Sequence, residues 1–222
     1  MANTKIASKV FSSVSKVYDK FLEKFTLGYI HKWQSKLIEN TTVKETVLDI
    51  GTGTGEILKK INESYPNIYL IGVDISFSML KLAKKKLPKA NFILADAHNL
   101  PLKNQTITNI FFSLTFRHLN YKDILRSLKK ILKKEGEISI LEIPKPSKFI
   151  YFLIIIFMKF IFKPIGILIF TKEEYEYFIH SIENSLTVKE LVNLFEKNGF
   201  KTVYIEKKLF GLLVLAVFRK ES

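Results

Sequence analysis

Residues 47–56 read Val-Leu-Asp-Ile-Gly-Thr-Gly-Thr-Gly-Glu. The apolar start is typical of a buried strand, three glycines follow at alternate positions, and a helical pattern runs over residues 56–64. A strand, a tight glycine turn and a helix start form the arrangement that brings a nucleotide-like ligand close to the backbone. We therefore expect Gly51, Gly53 and Gly55 to form a ligand-binding turn.

The acids near this turn indicate which ligand it binds. A second apolar strand over residues 68–73 ends in Asp74, which can accept hydrogen bonds from both hydroxyls of a ribose. The third glycine comes one residue too early for a pyrophosphate-binding turn, and Asp49 would repel a phosphate. Asp49 instead suits a cation, and S-adenosylmethionine carries an ammonium and a sulfonium but no phosphate. The sequence therefore predicts S-adenosylmethionine as the cofactor.

Strand and helix patterns alternate along the rest of the chain. The strands expected after Asp74 are 91–95, 107–113, 137–141, 204–208 and 212–219, the later helices are 121–132 and 187–198, and a turn is expected at 133–136. We predict an α/β fold with a doubly wound, mostly parallel, seven-stranded Rossmann-like sheet, in a single domain over residues 1–222. We expect the N-terminal helices, within residues 1–40 and interrupted at Gly28, to form a lid over the ligand or to pack on the sheet. We also expect an apolar insertion at residues 145–185.

Polar residues end four of the predicted strands, namely Asp49, Asp74, Asp96 and Ser113. In a parallel sheet these ends meet at one edge, where the ligand lies. We expect Asp96 to bind the adenine amino group while the backbone amide of Ala97 meets the adenine ring. Each residue alone is more often a simple strand-end cap, so the prediction depends on their convergence.

The composition limits the possible partners and sites. The chain has 35 basic and 21 acidic residues, a net charge of +14, which favours an anionic nucleic acid or membrane or is simply a solvated lysine-rich surface. It has no cysteine, and its four histidines are scattered, so we expect no metal site. Residues 1–20 lack the apolar core of a signal peptide, which predicts an intracellular protein.

Several motifs together resemble those of one enzyme family. They are Tyr18-Asp19 with residues 28–33, the glycine turn, Ser-Leu-Thr-Phe-Arg-His-Leu at 113–119, Leu-Glu-Ile-Pro at 141–144, Tyr-Glu-Tyr-Phe-Ile-His-Ser-Ile at 175–182 and Gly-Leu-Leu-Val-Leu-Ala at 211–216. The sequence is similar to class I S-adenosylmethionine-dependent methyltransferases. More narrowly, it resembles the ubiquinone/menaquinone biosynthesis C-methyltransferase family nearly from end to end.

This resemblance implies a reaction and a set of cofactor contacts. The reaction is the C-methylation of a demethylated polyprenyl quinol, demethylmenaquinol or a related compound. The implied cofactor contacts are Thr54, Asp74, Asp96, Ala97 and Ser113. The chain departs from the family at 115–118, where Thr-Phe-Arg-His replaces the usual Gly-Leu-Arg-Asn, and at Ile179 and His180, where Pro and Glu are frequent. These departures do not specify which quinone ring is the substrate. They do not affect the prediction of the cofactor.

The residues beyond Ser113 suggest how a quinol could react. A ring carbon becomes a good nucleophile when a neighbouring phenol loses its proton, and Arg117 could stabilise that phenolate. His118 is the nearest side chain whose ordinary pKa lets it take the proton near neutrality. A water held by Arg117, or His180, could act as the base instead. An Arg-His pair at a helix start is also often a plain surface feature.

Residues 149–170 are almost entirely apolar, with Lys159 and Lys163 as their charges. Their length would allow one bilayer crossing, but the two lysines and the internal Pro164 make a spanning helix costly. We expect an interfacial helical hairpin that is broken at Pro164 and admits a polyprenyl tail, with a membrane anchor or a buried insertion as alternatives. This predicts a cytoplasmic enzyme that binds peripherally to the inner face of the membrane.

Three other functions are compatible with part of the sequence. Base amino-methyltransferases usually have Asn/Asp-Pro-Pro-aromatic where this chain has Ser-Leu-Thr-Phe at 113–116, and cytosine C5 methylation needs a cysteine, so we expect no nucleic-acid partner. A methyltransferase acting on another membrane lipid or small molecule fits the apolar insertion equally well. A non-catalytic cofactor-binding subunit of a membrane biosynthetic complex is the remaining alternative.

Overall fold

A computed structural model of the chain describes residues 8–9, 11–13, 15, 18–147, 151 and 171–221. The hairpin expected at 149–170 lies outside the described residues, apart from Tyr151. The helices are α1 Tyr18–Phe25, α2 Tyr29–Glu39, α3 Glu56–Ser64, α4 Phe77–Lys86, α5 Tyr121–Ile131, α6 Lys172–Glu183 and α7 Val188–Lys197. The strands are β1 Thr46–Ile50, β2 Tyr69–Asp74, β3 Asn91–Leu94, β4 Ile107–Ser113, β5 Leu132–Glu142, β6 Phe200–Lys208 and β7 Leu213–Lys220.

The seven strands of the described ranges form one sheet in the order β3-β2-β1-β4-β5-β7-β6. Strands β1 to β5 are parallel, and β7 runs antiparallel to both β5 and β6. The predicted doubly wound, mostly parallel sheet and its antiparallel final pair are confirmed. The strand order reverses between β1 and β4, and a crevice for a ligand opens at the carboxyl ends of the strands at such a point.

Helices cover both faces of the sheet, and the central strand β4 is buried on both sides. Its residues Ile110 and Phe112 belong to the apolar core on one face, and Phe111 belongs to the core on the other. On the first face, Phe195 of α7 stacks on Phe218 of β7 with ring centroids 4.0 Å apart. A slip of β4 by one residue would exchange its two faces, so this packing fixes the register of the sheet.

The start of β5 differs from the prediction. Instead of a turn at 133–136, β5 begins directly after α5. Glu135 has a positive φ of 56°, and the pairing with β4 contains a register shift, so the strand is irregular there. A Cβ on Gly136 would lie 2.7 Å from Cγ of Leu132. The prediction of a turn was wrong because this glycine serves a close approach within the strand.

Helix α7 begins and ends at strong local signals. Thr187 and Glu190 form a reciprocal capping box at its start. Gly199, with a φ of 78°, follows the helix and ends it, as predicted. The chain then enters β6 directly, so this strand begins at Phe200 rather than at the predicted Tyr204.

Helix α2 runs along the sheet from the carboxyl ends of the parallel strands towards their amino ends. It is separated from α1 by Gly28, which has a φ of 75°, as predicted. In the middle of α2, Gln34 Nε2 lies 3.4 Å from Oγ of Ser113, the last residue of β4, and the first turns of the helix lie beyond that point. After the helix, the hydroxyl of Thr41 shares a 2.7 Å hydrogen bond with the hydroxyl of Ser139 in β5. The start of α2 therefore lies at the carboxyl edge of the sheet.

Candidate active site

A cavity opens at the carboxyl edge of the sheet. Its empty space, including the open mouth, is about 1080 Å³. The predicted site residues that line it are Asp49, Gly51, Gly53, Thr54, Asp74, Asp96, Ala97, Ser113 and His118. Gly55 and Arg117 are not among the lining residues. Within the described ranges, no group of three or more His, Asp or Glu residues could hold a metal ion.

The turn between β1 and α3 has positive φ angles of 68° at Gly51, 54° at Gly53 and 84° at Gly55. A Cβ on Gly51 would lie 2.3 Å from the Thr115 side chain, so the close approach requires glycine. A Cβ on Gly55 would lie 3.2 Å from Cβ of Ala83 on α4. Gly55 therefore serves the packing of α3 against α4, while Gly51 and Gly53 face the cavity.

Asp74 ends β2 and holds the glycine turn in place. Its Oδ2 accepts the backbone N–H of Gly53 at 2.8 Å, and its Oδ1 accepts that of Ser76 at 2.8 Å. Burial raises the pKa of Asp74, and the backbone hydrogen bonds oppose the rise. Each carboxylate oxygen keeps a further lone pair, so Asp74 can also accept hydroxyl donors from a ligand.

Asp49 is a buried acid at the cavity wall, with 1% of its surface exposed. Its Oδ2 accepts a 2.7 Å hydrogen bond from Thr52 Oγ1. Burial raises the pKa of Asp49 to about 7, the Thr52 hydrogen bond lowers it, and the charge of Asp74 adds to the rise. A bound cation would favour the charged form of Asp49, so this wall suits a positively charged ligand.

Three buried side-chain atoms in the described part of the chain have no hydrogen-bond partner: Asp49 Oδ1, Gln34 Oε1 and His118 Nε2. All three residues line the cavity. Buried polar atoms are nearly always paired, so these atoms indicate polar partners on a ligand, and the two oxygens suit an ammonium group. Gln34 was not among the predicted site residues; the available signal in the sequence was one amide between the apolar residues Ile30 and Leu37, which are buried in α2.

Asp96 follows β3 and is bound to its own turn. Its Oδ1 accepts the backbone N–H of His98 at 2.9 Å and lies 2.7 Å from Nδ1 of the same residue. The other ring nitrogen of His98 accepts the N–H of Asn120 at 3.1 Å, which assigns the ring proton to Nδ1. These bonds hold Asp96 and Ala97 at the cavity wall.

Arg117 lies elsewhere than the sequence predicted. Its Nη1 donates to Glu142 Oε1 at 2.5 Å and to the Leu114 carbonyl at 2.8 Å, and its Nε donates to Ser181 Oγ at 3.2 Å. Both members of the ion pair are buried, with 8% of Arg117 and 4% of Glu142 exposed. The guanidinium is turned behind the cavity wall. This geometry does not support the predicted direct contact between Arg117 and a phenolate.

His118 faces the cavity within an aromatic cluster. Its Nδ1 lies 2.9 Å from the Tyr177 hydroxyl, and the two rings stack with centroids 5.3 Å apart. Phe11 meets the imidazole edge-on at 5.7 Å. Burial, and secondly the charge of Arg117, lowers the pKa of His118 well below its usual 6.5. The alternative base, His180, has an exposed side chain and does not line the cavity.

The N-terminal segment, meaning the described residues between 8 and 25, crosses the cavity and contributes to its lining. The hydroxyls of Ser12 and Ser76 lie 2.9 Å apart. Thr54 donates a 2.7 Å hydrogen bond to Asp19, which also pairs with Lys86 at 2.7 Å. The segment is thus bound to the cofactor turn and to α4 by polar contacts.

Known enzymes are similar to the chain over nearly its whole length. The demethylmenaquinone methyltransferase of Chlamydia caviae is 31% identical over 218 residues, covering 96% of this chain and 95% of that protein. That of Thermotoga maritima is 29% identical over 211 residues, covering 90% of each. The ubiquinone/menaquinone biosynthesis C-methyltransferase UbiE of Campylobacter jejuni is 30% identical over 226 residues, covering 96% of each.

Solved methyltransferase structures share the fold. The Haloferax volcanii complex of the Trm112 activator with a methyltransferase matches with a TM-score of 0.71 and 16% identity, over 96% of this chain and 98% of that chain. The plantazolicin methyltransferase BpumL, solved with SAH, matches with a TM-score of 0.68 and 20% identity, over 100% and 97%. The model of the ubiE/COQ5 methyltransferase family matches residues 1–220. The chain therefore belongs to the ubiE/COQ5 methyltransferase family.

Proposed function

We propose that this methyltransferase transfers a methyl group from S-adenosylmethionine to a ring carbon of a demethylated polyprenyl quinol, such as demethylmenaquinol. The observation that carries the proposal is the cavity, which combines buried acids for a cationic cofactor with a neutral histidine in an aromatic setting. Relatives named for the methylation of demethylmenaquinone, at 29% and 31% identity, support the choice of substrate.

In the cofactor part of the cavity the side chains have separate tasks. S-adenosylmethionine supplies an electrophilic methyl group on a sulfonium. Asp49 and Gln34 offer their unpaired oxygens to the ammonium end. Asp74 accepts the ribose hydroxyls while its backbone bonds keep the glycine turn in position. Asp96 and Ala97 line the same cavity and would hold the adenine, and contacts at both ends of the cofactor would favour a fixed alignment for methyl transfer.

In the substrate part, His118 accepts the phenol proton. The low pKa keeps the imidazole neutral at physiological pH. When Nδ1–H donates to the Tyr177 hydroxyl, the unpaired Nε2 is left as the acceptor towards the cavity. The phenol becomes more acidic as the ring carbon attacks, so its proton moves to Nε2 during methyl transfer. The hydrogen on the methylated carbon is then lost to water, and Nε2 returns its proton to the ring oxygen, which restores the aromatic quinol. Phe11 lies against the imidazole and helps to exclude water.

Arg117 acts as a positioning residue in this mechanism. Its backbone N–H donates to Glu142 Oε2 at 3.1 Å, while its guanidinium binds the other oxygen of the same carboxylate. These two contacts anchor the 3-10 turn Phe116–His118 against the end of β5. The buried ion pair therefore determines where His118 lies, and the charge of Arg117 helps to keep the imidazole neutral.

The purified enzyme should methylate demethylmenaquinol but not oxidised demethylmenaquinone, because the quinone has no phenol proton to lose. His118→Ala should lower turnover about a hundredfold, the lower end of the range for a positioned base, with unchanged cofactor affinity. Mass spectrometry of the extracted quinones measures the product, and calorimetry measures the affinity.

Two variants serve as references for this test. His118→Asn introduces the residue that is usual in the family but cannot accept a proton, so it should lose turnover about as much as His118→Ala. His180→Ala changes an exposed histidine and should keep full activity. Equal rates with quinol and quinone would contradict the proposed reaction. Full turnover by His118→Ala would contradict only the role of His118 as the base, and not the proposed reaction.

The affinity for S-adenosylmethionine should rise with pH towards about 7, the raised pKa of Asp49. Below that pH the carboxyl is protonated and cannot balance the ammonium of the cofactor. The affinity should change by up to about tenfold per pH unit on the acidic side, because one proton is released on binding. Calorimetric titration between about pH 5.5 and 7 measures this slope, in a range where the ammonium stays charged.

Asp49→Asn provides the control for this pH dependence. The variant should bind the cofactor weakly at every pH and show no slope. Because the folded pKa of about 7 exceeds the unfolded value of 3.8, ionising Asp49 opposes folding increasingly from pH 3.8 to about 7 and fully above it. Asp49→Asn should therefore raise the melting temperature of the free protein above pH 7 by on the order of 5 °C. A retained slope would assign the titration to another group.

We further propose that the enzyme works as a peripheral protein on the inner face of the membrane. Its proposed substrate carries a polyprenyl tail, and its net charge of +14 favours anionic lipids. None of the described helices is long and apolar enough to cross a bilayer. Residues 149–170 remain our candidate for an interfacial hairpin that receives the tail.

A further inference from the structure

Two exposed apolar tips project from the described part of the molecule. The Leu27 tip is the turn between α1 and α2, where Leu27 is 84% exposed. The Phe210 tip is the 3-10 turn Leu209–Gly211 between β6 and β7, where Phe210 is 99% exposed and Leu209 is 53% exposed. Single exposed leucines are common on soluble proteins, but a fully exposed phenylalanine at the end of a hairpin needs a reason.

Both tips lie at the edge of the sheet where the cavity opens. Strand β7 begins beside Glu142, the last residue of β5, so the Phe210 tip lies beyond the carboxyl edge. Helix α2 brings Gln34 to Ser113 at the end of β4, and Leu27 precedes this helix, so the Leu27 tip lies beyond the same edge. The two tips and the cavity mouth therefore face the same side of the protein.

The backbone at these tips is held in an unfavourable conformation. Leu27 and Leu209 have a φ of 50°, and Phe210 has a φ of 56°. Side chains with a Cβ rarely adopt this left-handed region, where glycine or asparagine is favoured. A bulky apolar residue in such a position costs free energy through its strained backbone and again through the exposure of its side chain to water. This combination at both tips indicates a function rather than packing.

Lysines flank both tips. Lys24 and Lys32 are exposed on either side of the Leu27 tip. Lys207, which is exposed, and Lys208, which pairs with Glu206, directly precede the Phe210 tip. Apolar side chains flanked by lysines match the interface of an anionic bilayer, where the apolar groups enter the acyl layer and the lysines stay among the headgroups.

We propose that the Leu27 and Phe210 tips insert into an anionic lipid bilayer and hold the cavity mouth against the membrane. A lipid quinol would then reach His118 without its tail crossing water. The inference rests on the proposed function in taking the substrate to be a membrane lipid, and it adds the surface that reaches it. This surface is distinct from the stretch 149–170.

Co-sedimentation with vesicles of phosphatidylglycerol and phosphatidylcholine in equal parts tests the proposal. Leu27→Ser and Phe210→Ser should each weaken vesicle binding about tenfold, and the double variant about a hundredfold, because each loses the burial of one large apolar side chain. Tyr69→Ser is the matched control, since Tyr69 is 56% exposed but begins β2 at the opposite edge of the sheet. All three positions are exposed, so the melting temperatures should not change.

A second measurement reports insertion directly. The emission of a Phe210→Trp variant should shift to the blue on addition of the vesicles, whereas the native Trp33 is buried and gives a constant background. Unchanged vesicle binding by the double variant would overturn the proposal. So would a dimer in solution that Phe210→Ser dissociates, because a second copy of the chain would then cover the tip. Turnover of a short-tailed, soluble quinol should survive in the tip variants, and its absence in the wild type would instead count against the proposed function.

Discussion

Asp74→Ala should lower the affinity for S-adenosylmethionine about a thousandfold. Hydrogen bonds to a charged group contribute about 1.5 to 3 kcal/mol each, and two ribose hydroxyls lose their acceptor together. The same carboxylate accepts the N–H groups of Gly53 and Ser76, so the variant also loosens the turn that meets the cofactor. Isothermal titration calorimetry on the purified protein measures the effect.

Two further variants show whether the loss of cofactor affinity is specific to the Asp74 carboxylate. Asp74→Asn keeps one acceptor oxygen and should lie between the wild type and Asp74→Ala. Asp123→Ala removes an acid from the start of α5, where it binds Asn120 at the surface, and should bind the cofactor normally. An unchanged affinity in Asp74→Ala would show that the cofactor lies elsewhere.

Arg117→Ala should destabilise the folded protein by about 3 to 5 kcal/mol, because it leaves Glu142 charged and buried without its partner. For a chain of this size the melting temperature should fall by on the order of 10 °C. Arg117→Met combined with Glu142→Gln removes both charges, and should recover most of the stability. Differential scanning calorimetry of the single and double variants measures both changes.

The turnover of the double variant separates two roles of Arg117. If the residue positions His118, the double variant should regain a large part of the turnover at temperatures where it is folded. If the guanidinium instead contacts a developing phenolate, turnover should stay about two to three orders of magnitude below the wild type, the scale for one lost oxyanion donor. That second result would contradict the positioning role assigned by the buried ion pair.

The convergence of the four polar strand-end residues on one cavity could be predicted because topology alone determines it. Asp49, Asp74, Asp96 and Ser113 end four parallel strands, and parallel strands bring their carboxyl ends to one edge whatever the details of packing. The turn at Gly51 is equally local, since its conformation is a property of a few consecutive residues. These parts of the prediction required no knowledge of distant contacts.

The substrate part depends on contacts between distant residues, and the sequence analysis predicted it less well. The direction of the Arg117 side chain is set by Glu142 and Ser181, which follow it by 25 and 64 positions. Glu142 carried a usable signal, because an acid in an apolar strand must find a partner when it is buried. The sequence gives little signal for Tyr177 and Gln34, because their roles follow from the packing of helices against the sheet.

The polar contacts of the N-terminal segment have a consequence for the stability of the cavity wall. Helix α1 contains no fully buried residue, and the ion pair of Asp19 with Lys86 is partly open to water. Such contacts are worth about 0 to 1 kcal/mol each, much less than the apolar packing that holds the sheet together. The wall that the N-terminal segment contributes to the cavity is therefore held less firmly than the sheet beneath it.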